Sequence, residues 1–186
     1  MVHIMTLWLP ILLSAVLVFV ASFVIHMMLG YHKSDFKKLP AQDDVMDALR
    51  KFNIPPGDYM MPRPDTMKEM KEPAFQERWA KGPRAVMTIF KSGPPSMGAQ
   101  LVQWFVYCLV IGVFSAYVSG RALAQGAGHL PVLRFAGTAA FLGYSLALAQ
   151  NSIWYKRSWG ATLRTMFDGL VYACLTGAAF SWFWPR

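Results

Sequence analysis

Residues 7–29 read LWLPILLSAVLVFVASFVIHMML and contain no Asp, Glu, Lys or Arg. About 20 apolar residues are enough for a helix to cross the hydrocarbon core of a bilayer, so this segment is predicted to span a membrane. A cleaved signal peptide would carry a basic residue before an apolar core of only about 7–15 residues. Because no Lys or Arg precedes residue 7, we expect a retained anchor.

Three further apolar stretches follow in the second half of the chain. The predicted spans are about 7–29, 101–119, 132–150 and 165–184. The composition agrees, because 15% of the residues are charged, whereas a soluble domain carries about 25%. We therefore predict an all-α integral membrane protein, a four-transmembrane-helix bundle that forms one domain over residues 1–186, with the lipid bilayer as its surroundings.

Basic residues are distributed unevenly between the two sides of this predicted bundle. They crowd into the segment 33–99 and recur at 156–164, whereas the other side holds only Arg121, Arg134 and Arg186. Since short cytoplasmic loops are enriched in Lys and Arg, both termini are predicted to lie outside and 33–99 to be a cytoplasmic loop. The net charge of +8 then reports topology and not nucleic-acid binding, because no base-stacking or groove-reading motif accompanies it.

Small residues recur every four positions in the last three predicted spans, and such spacing lets helix backbones approach closely in a membrane. The nine residues are Gly112, Ala116, Gly120, Ala139, Gly143, Ala147, Gly169, Ala173 and Gly177. They predict tight packing of the helices within one chain, with a homo-oligomer interface as the alternative.

The long loop is predicted to be partly helical. A helix over 41–52 fits Asp43 and Asp44 in the first turn and basic residues in the last. Four prolines in 55–64 favour an extended segment. Asp65 is a candidate cap for a short helix, Pro73 is placed to begin another that ends before Gly82, and 85–90 is either interfacial or a strand.

Several polar side chains are predicted to share the cytoplasmic half of the bundle. They are His26, Gln103, Tyr107, Asn151, Arg164, Asp168 and Tyr172. An ionisable group at membrane depth is a functional candidate by default. Arg164 and Asp168 are one helical turn apart and can pair, so the alternative is that Asp168 only neutralises Arg164.

No catalytic motif is present, and neither a metal nor a cofactor is predicted. The chain has no Walker loop and no GxSxG, HExxH or Cys-x-x-Cys pattern. His26 is a conceivable metal or haem ligand, but His32 follows it by six residues and would lie on roughly the opposite side of an ideal helix. A soft Cu(I) site is the other alternative, built from Met60, Met61, Met67 and Met70.

Three stretches stand out by their residue pattern, namely VIHM at 24–27 with YHKSDF at 31–36, PPGDYMMP at 55–62 and SIWYKRSW at 152–159. In these stretches the chain resembles small four-span inner-membrane proteins of bacteria, to which no activity is attached. The resemblance implies a multi-pass protein of the bacterial inner membrane and no catalytic residue.

The favoured function is a non-enzymatic accessory or structural membrane protein that forms a homo-oligomer or is a subunit of a larger membrane complex. One alternative is a small-solute or proton-coupled transporter that uses Arg164, Asp168 and His26. Another is a membrane enzyme that acts on lipid or quinone, with a pocket lined by Tyr107, Asn151 and Tyr172.

Overall fold

The computed structural model describes residues 1–94 and 96–186, and most of them are helical. The helices and strands, in chain order, are α1 (Trp8–Phe23), α2 (Gln42–Arg50), β1 (Gly57–Met61), α3 (Pro73–Lys81), β2 (Ala85–Ile89), α4 (Gly98–Ala122), α5 (His129–Tyr144), α6 (Ala149–Tyr155) and α7 (Trp159–Trp182). Short 3-10 or π turns extend several of them, notably Ile4–Leu7 before α1 and the π turn Val24–Met28 after it.

Three helical stretches are long and apolar enough to cross a membrane, namely Ile4–Met28, Gly98–Ala122 and His129–Tyr155. They contain the predicted spans 101–119 and 132–150 and all but the last residue of 7–29. The third stretch is not one continuous helix, because α5 ends at Tyr144 and a 3-10 turn at Leu146–Leu148 separates it from α6. Helix α7 contains residues 165–182 of the fourth predicted span, 165–184, and has a similar length, but Arg164 and Asp168 make it less apolar.

Contacts between Cα atoms divide the described chain into two compact units. The first comprises Met1–Lys37 with Ser96–Arg186, and the second comprises Lys38–Pro95. The expectation of one domain over residues 1–186 stays a prediction.

In the first unit, α5 packs against α7 and α4, and α1 packs against α4 and α7. The backbone N–H of Val2 donates to the carbonyl of Gly120 at 2.8 Å, and that of Gly126 donates to the carbonyl of Pro185 at 2.9 Å. Both termini and the α4–α5 connection therefore meet at one end. Consecutive long helices run in opposite directions, as a chain that weaves across a bilayer requires.

The small residues at these contacts allow helices of the same chain to approach closely. A Cβ added to Gly177 would lie 2.9 Å from the carbonyl oxygen of Leu133, and one added to Gly169 would lie 2.7 Å from Cβ of Ser145. Since ordinary carbon contacts are about 3.5–4.0 Å, only glycine permits this approach of α7 to α5. The face of α5 that meets Gly177 includes Gly137, whereas Ala147 is exposed in the 3-10 turn.

The second unit contains two short helices and a two-stranded sheet. Helix α2 lies inside the predicted 41–52, and α3 begins at Pro73 and stops before Gly82 as expected. Strands β1 and β2 pair antiparallel, with Gly57 opposite Ile89 and Met61 opposite Ala85. Of the two alternatives for 85–90 the strand is confirmed, and β1 lies in the segment 55–64 that was predicted to be extended. The short helix expected after Asp65 is only a 3-10 turn at Glu69–Lys71.

Candidate functional site

The two acidic side chains of the first unit meet at the end where α1 finishes and α7 begins. Asp35 and Asp168 are the only Asp or Glu residues in 1–37 and 96–186, and both lie in one group of polar side chains. We call this group the His–Asp cluster, and its members are His26, Tyr31, His32, Asp35, Arg164 and Asp168.

Backbone geometry after α1 builds the first half of the cluster. The π turn at Val24–Met28 is followed by Gly30, whose φ of 65° is in the left-handed region that favours glycine. The chain then continues as a 3-10 turn at Tyr31–Ser34. As a result the rings of His26 and His32 stack, with centroids 4.7 Å apart and 7° between their planes. The expectation that His32 lies opposite His26 is wrong, because it assumed one uninterrupted α-helix.

Asp168 is the buried centre of the cluster. Its side chain projects from α7 and the residue is 1% exposed. The Tyr31 hydroxyl donates a hydrogen bond to Oδ1 of Asp168, and Nε2 of His32 lies 2.8 Å from Oδ2. Burial, followed by the neighbouring Asp168 carboxylate, raises the pKa of the Tyr31 hydroxyl. Tyr31 therefore keeps its proton and acts as a donor.

Arg164 pairs with Asp35, and not with Asp168 as the helical spacing had suggested. Nε of Arg164 donates to Oδ1 of Asp35 at 2.8 Å, while Nδ1 of His32 lies 2.7 Å from Oδ2 of Asp35. Burial alone would raise the pKa of Asp35, but the hydrogen bonds from His32 and Arg164 outweigh it and leave that pKa below its usual value. Asp35 is therefore a carboxylate held by two donors.

The structure brings together only part of the predicted polar set. His26, Arg164 and Asp168 are in the His–Asp cluster. Tyr107 and Tyr172 belong instead to an aromatic group with Trp104 and Tyr144, in which neighbouring ring centroids are 5.6–6.1 Å apart.

Gln103 and Asn151 lie outside the His–Asp cluster. Gln103 is exposed on α4, and Asn151 is half-buried on α6. Within the described part of the chain, neither side chain hydrogen-bonds to a member of the cluster.

Three members of the cluster were missed by reasoning from the sequence, namely Tyr31, His32 and Asp35. One signal was available, since Asp35 is the only acidic residue besides Asp168 in the segments around the predicted spans. An isolated acidic residue such as Asp35, directly after an apolar helix, is a candidate partner for an isolated basic residue such as Arg164 on another helix of the same unit.

A shallow groove of about 500 Å³ lies beside the cluster. Its lining is Tyr31, Gly160, Leu163, Arg164 and Phe167. The groove is largely apolar, and the partly exposed guanidinium of Arg164 provides its charge. These are not the residues expected to line a lipid or quinone pocket.

No family model, curated protein or solved structure matches this chain.

Proposed function

We propose that the protein crosses a bacterial inner membrane four times, with α7 as the fourth span and α5 with α6 as the third. Support for α7 comes from where its side chains lie. Asp168 is buried, whereas Leu163, Phe167 and Leu170 are 57%, 60% and 45% exposed. A helix that turns apolar side chains outward and its acidic side chain inward suits a lipid environment.

The proposed orientation places both termini outside the cytoplasm and residues 38–94 inside it. It rests on the excess of Lys and Arg in 33–91 and 156–164 over the opposite end. The structure supports a common side for the termini, because Gln125, between α4 and α5, donates to the carbonyl of Arg186 at 2.8 Å, next to the Val2–Gly120 contact.

We further propose that the protein is an accessory or structural component of a membrane assembly, formed with copies of itself or with another membrane protein. The observation that carries this proposal is the poor burial of the second unit. Among residues 38–94 only Phe75 is buried, whereas Phe52, Met67 and Phe90 are 73%, 71% and 81% exposed. A unit this small, with so little of its own core, gains stability by association.

The sheet of the second unit supports the same proposal. A two-stranded sheet is marginally stable in isolation, and in this sheet of order β1-β2 each strand has one edge without a neighbouring strand. Such edges pair readily with another chain. The small-residue positions Gly112, Gly120, Gly143, Gly169 and Gly177, in contrast, already meet other parts of the same chain, so the association is expected through residues 38–94.

The experiment is cross-linking in native membranes followed by native mass spectrometry of the full chain in mild detergent. We expect a defined homo-oligomer or a stoichiometric complex. Phe52→Ser with Phe90→Ser should weaken it, while Lys51→Ser, at a neighbouring exposed polar position, should leave it intact. A stable monomer in both conditions would contradict the proposal.

Solute or proton-coupled transport is the second candidate. The observation that favours it is the burial of Asp168 in α7 beside His32 and Tyr31, since intramembrane carboxylates mark proton and ion pathways. The flux of protons or of a small solute into vesicles should be larger by a large factor with the wild-type protein than with the Asp168→Asn variant. Equal flux in the two would exclude this role.

A further inference from the structure

Two imidazoles and one carboxylate converge at the core of the His–Asp cluster. We infer that His26, His32 and Asp168 form a binding site for a divalent transition-metal ion. One donor atom from each residue lies within 4.8 Å of the other two. Two histidines and a carboxylate, with coordination positions left open, are a donor set used by Zn²⁺ and Fe²⁺. The inference goes beyond the proposed assembly role and does not depend on it.

Both histidines are held by a contact of Nδ1 with an oxygen atom. Nδ1 of His26 lies 2.9 Å from the backbone oxygen of Ser22, and Nδ1 of His32 lies 2.7 Å from Oδ2 of Asp35. Both partners are acceptors, so each Nδ1 is placed to donate to its partner. Nε2 of His32 also faces an acceptor, Oδ2 of Asp168 at 2.8 Å, and a metal ion would bind in place of the proton between these two atoms. Metal-binding histidines are oriented by the same kind of outer hydrogen bond.

The outer partners are themselves fixed. Arg164 holds Asp35 through Oδ1, and Tyr31 holds Asp168 through Oδ1. Each carboxylate thus has one oxygen tied to a donor and the other directed at His32. This arrangement places Oδ2 of Asp168 beside Nε2 of His32.

Oδ2 of Asp168 and Nε2 of His32 face each other in the buried part of the cluster. They lie 2.8 Å apart, and in the described ranges 1–94 and 96–186 neither atom has a hydrogen-bond partner besides the other. A buried polar atom with so few partners is costly. A cation bound to both atoms would take the place of the proton between them.

Binding requires the His26 donor to approach, while Nε2 of His32 and Oδ2 of Asp168, now 2.8 Å apart, separate slightly. Around a tetrahedral Zn²⁺ ion with bonds of about 2.0–2.1 Å, donor atoms lie roughly 3.3 Å apart. His26 supplies the needed movement, because it is exposed and its ring can turn out of the parallel stack with His32. The cluster is then a three-donor site whose open positions face the exposed side.

Charge and donor type favour a transition-metal dication. Arg164 pairs with Asp35, so among the acidic residues of this unit Asp168 is the one whose carboxylate has no Lys or Arg partner in the described ranges. Mg²⁺ and Ca²⁺ prefer oxygen ligands, whereas imidazole nitrogen suits Zn²⁺ and its neighbours in the first transition series.

The test uses the full chain, purified with an affinity tag that lacks histidine and stripped with a chelator. Co²⁺ is titrated while its visible absorption is followed, and Zn²⁺ is then added in competition. We expect one Co²⁺ per chain, displaced by Zn²⁺. His26→Ala should weaken binding at least about tenfold. His3→Gln, exposed near the opposite end of the unit, should not change it.

His26→Ala is the decisive variant. Because the His26 ring is exposed, the protein does not need it for folding. Asp168→Asn and His32→Ala should abolish the absorption band, and Asp35→Asn should weaken binding by about 10–100-fold without changing the stoichiometry. Absence of stoichiometric Co²⁺ binding by the wild type, or equal affinity in wild type and His26→Ala, would overturn the inference. The His32–Asp168 contact would then be an ordinary ion pair.

Discussion

The rings of His26 and His32 stack 4.7 Å apart, although six residues of sequence separate them. In an α-helix six residues correspond to one and two-thirds turns, which would place the two side chains on different faces. The π turn at Val24–Met28 and the left-handed Gly30 change the direction of the chain between them. One backbone feature therefore positions His32 beside both His26 and Asp168.

Replacement of Gly30 by Ala should loosen the cluster. A side chain at φ of 65° costs about 1–2 kcal/mol, and its Cβ would also lie 3.2 Å from Cε of Lys33. We expect Gly30→Ala to lower the thermal unfolding midpoint, measured by tryptophan fluorescence in detergent, and to weaken Co²⁺ binding. Gly98→Ala is the control, because a Cβ there meets nothing within 4 Å. Equal midpoints for the two variants would refute this role of Gly30.

Close packing of α7 on α5 should be sensitive to one methyl group at Gly177. The added carbon would meet the Leu133 carbonyl oxygen at 2.9 Å and Cα of Gly137 at 3.2 Å. Overpacking of this kind costs about 1–3 kcal/mol, more than the gain of up to about 1 kcal/mol from the helix propensity of Ala.

The matched control in the same helix is Gly160→Ala, where the nearest atom is 3.7 Å away. Thermal unfolding should show a lower midpoint for Gly177→Ala and an unchanged or higher one for Gly160→Ala. A Gly177→Ala protein as stable as the wild type would show that α5 and α7 are farther apart than described.

Loss of the Asp35 charge should destabilise the protein. Asp35→Asn removes the anion that holds Arg164 and His32, and hydrogen bonds to charged groups are worth about 1.5–3 kcal/mol. Arg164 is partly exposed, so solvent screening places the expected loss near the lower end of that range. Chemical denaturation of the purified protein measures it.

The control for Asp35→Asn is Asp47→Asn. Asp47 pairs with Arg50 on the surface of α2, where both side chains are about two-thirds exposed, and exposed pairs contribute little. If the two variants lost equal stability, the Asp35–Arg164 pair would be no more than a surface contact.

The sequence predicts the features that depend on local composition. Apolar runs located the long helices, and Pro73 with Gly82 located both ends of α3. These signals locate helices because a membrane span must satisfy its backbone hydrogen bonds within itself. Proline and glycine likewise determine the start or the end of a helix through the backbone of the turn in which they lie.

Features that depend on distant partners could not be predicted in the same way. Arg164 pairs with Asp35, which is 129 positions away, and not with the nearer Asp168. β1 and β2 pair across 23 intervening residues that contain α3. The break at Ser145, which packs against Gly169, likewise depends on a contact between helices. Helical spacing alone therefore named three members of the cluster and missed three.

Epitope tags at the two termini distinguish four membrane crossings from three. With four crossings both tags must lie on the same side, and the excess of basic residues in the loops predicts the outer side. We expect antibody to reach both tags in intact spheroplasts, while residues 38–94 resist added protease until the cells are lysed. Accessibility of one tag alone would mean an odd number of crossings and would remove α7 from the membrane.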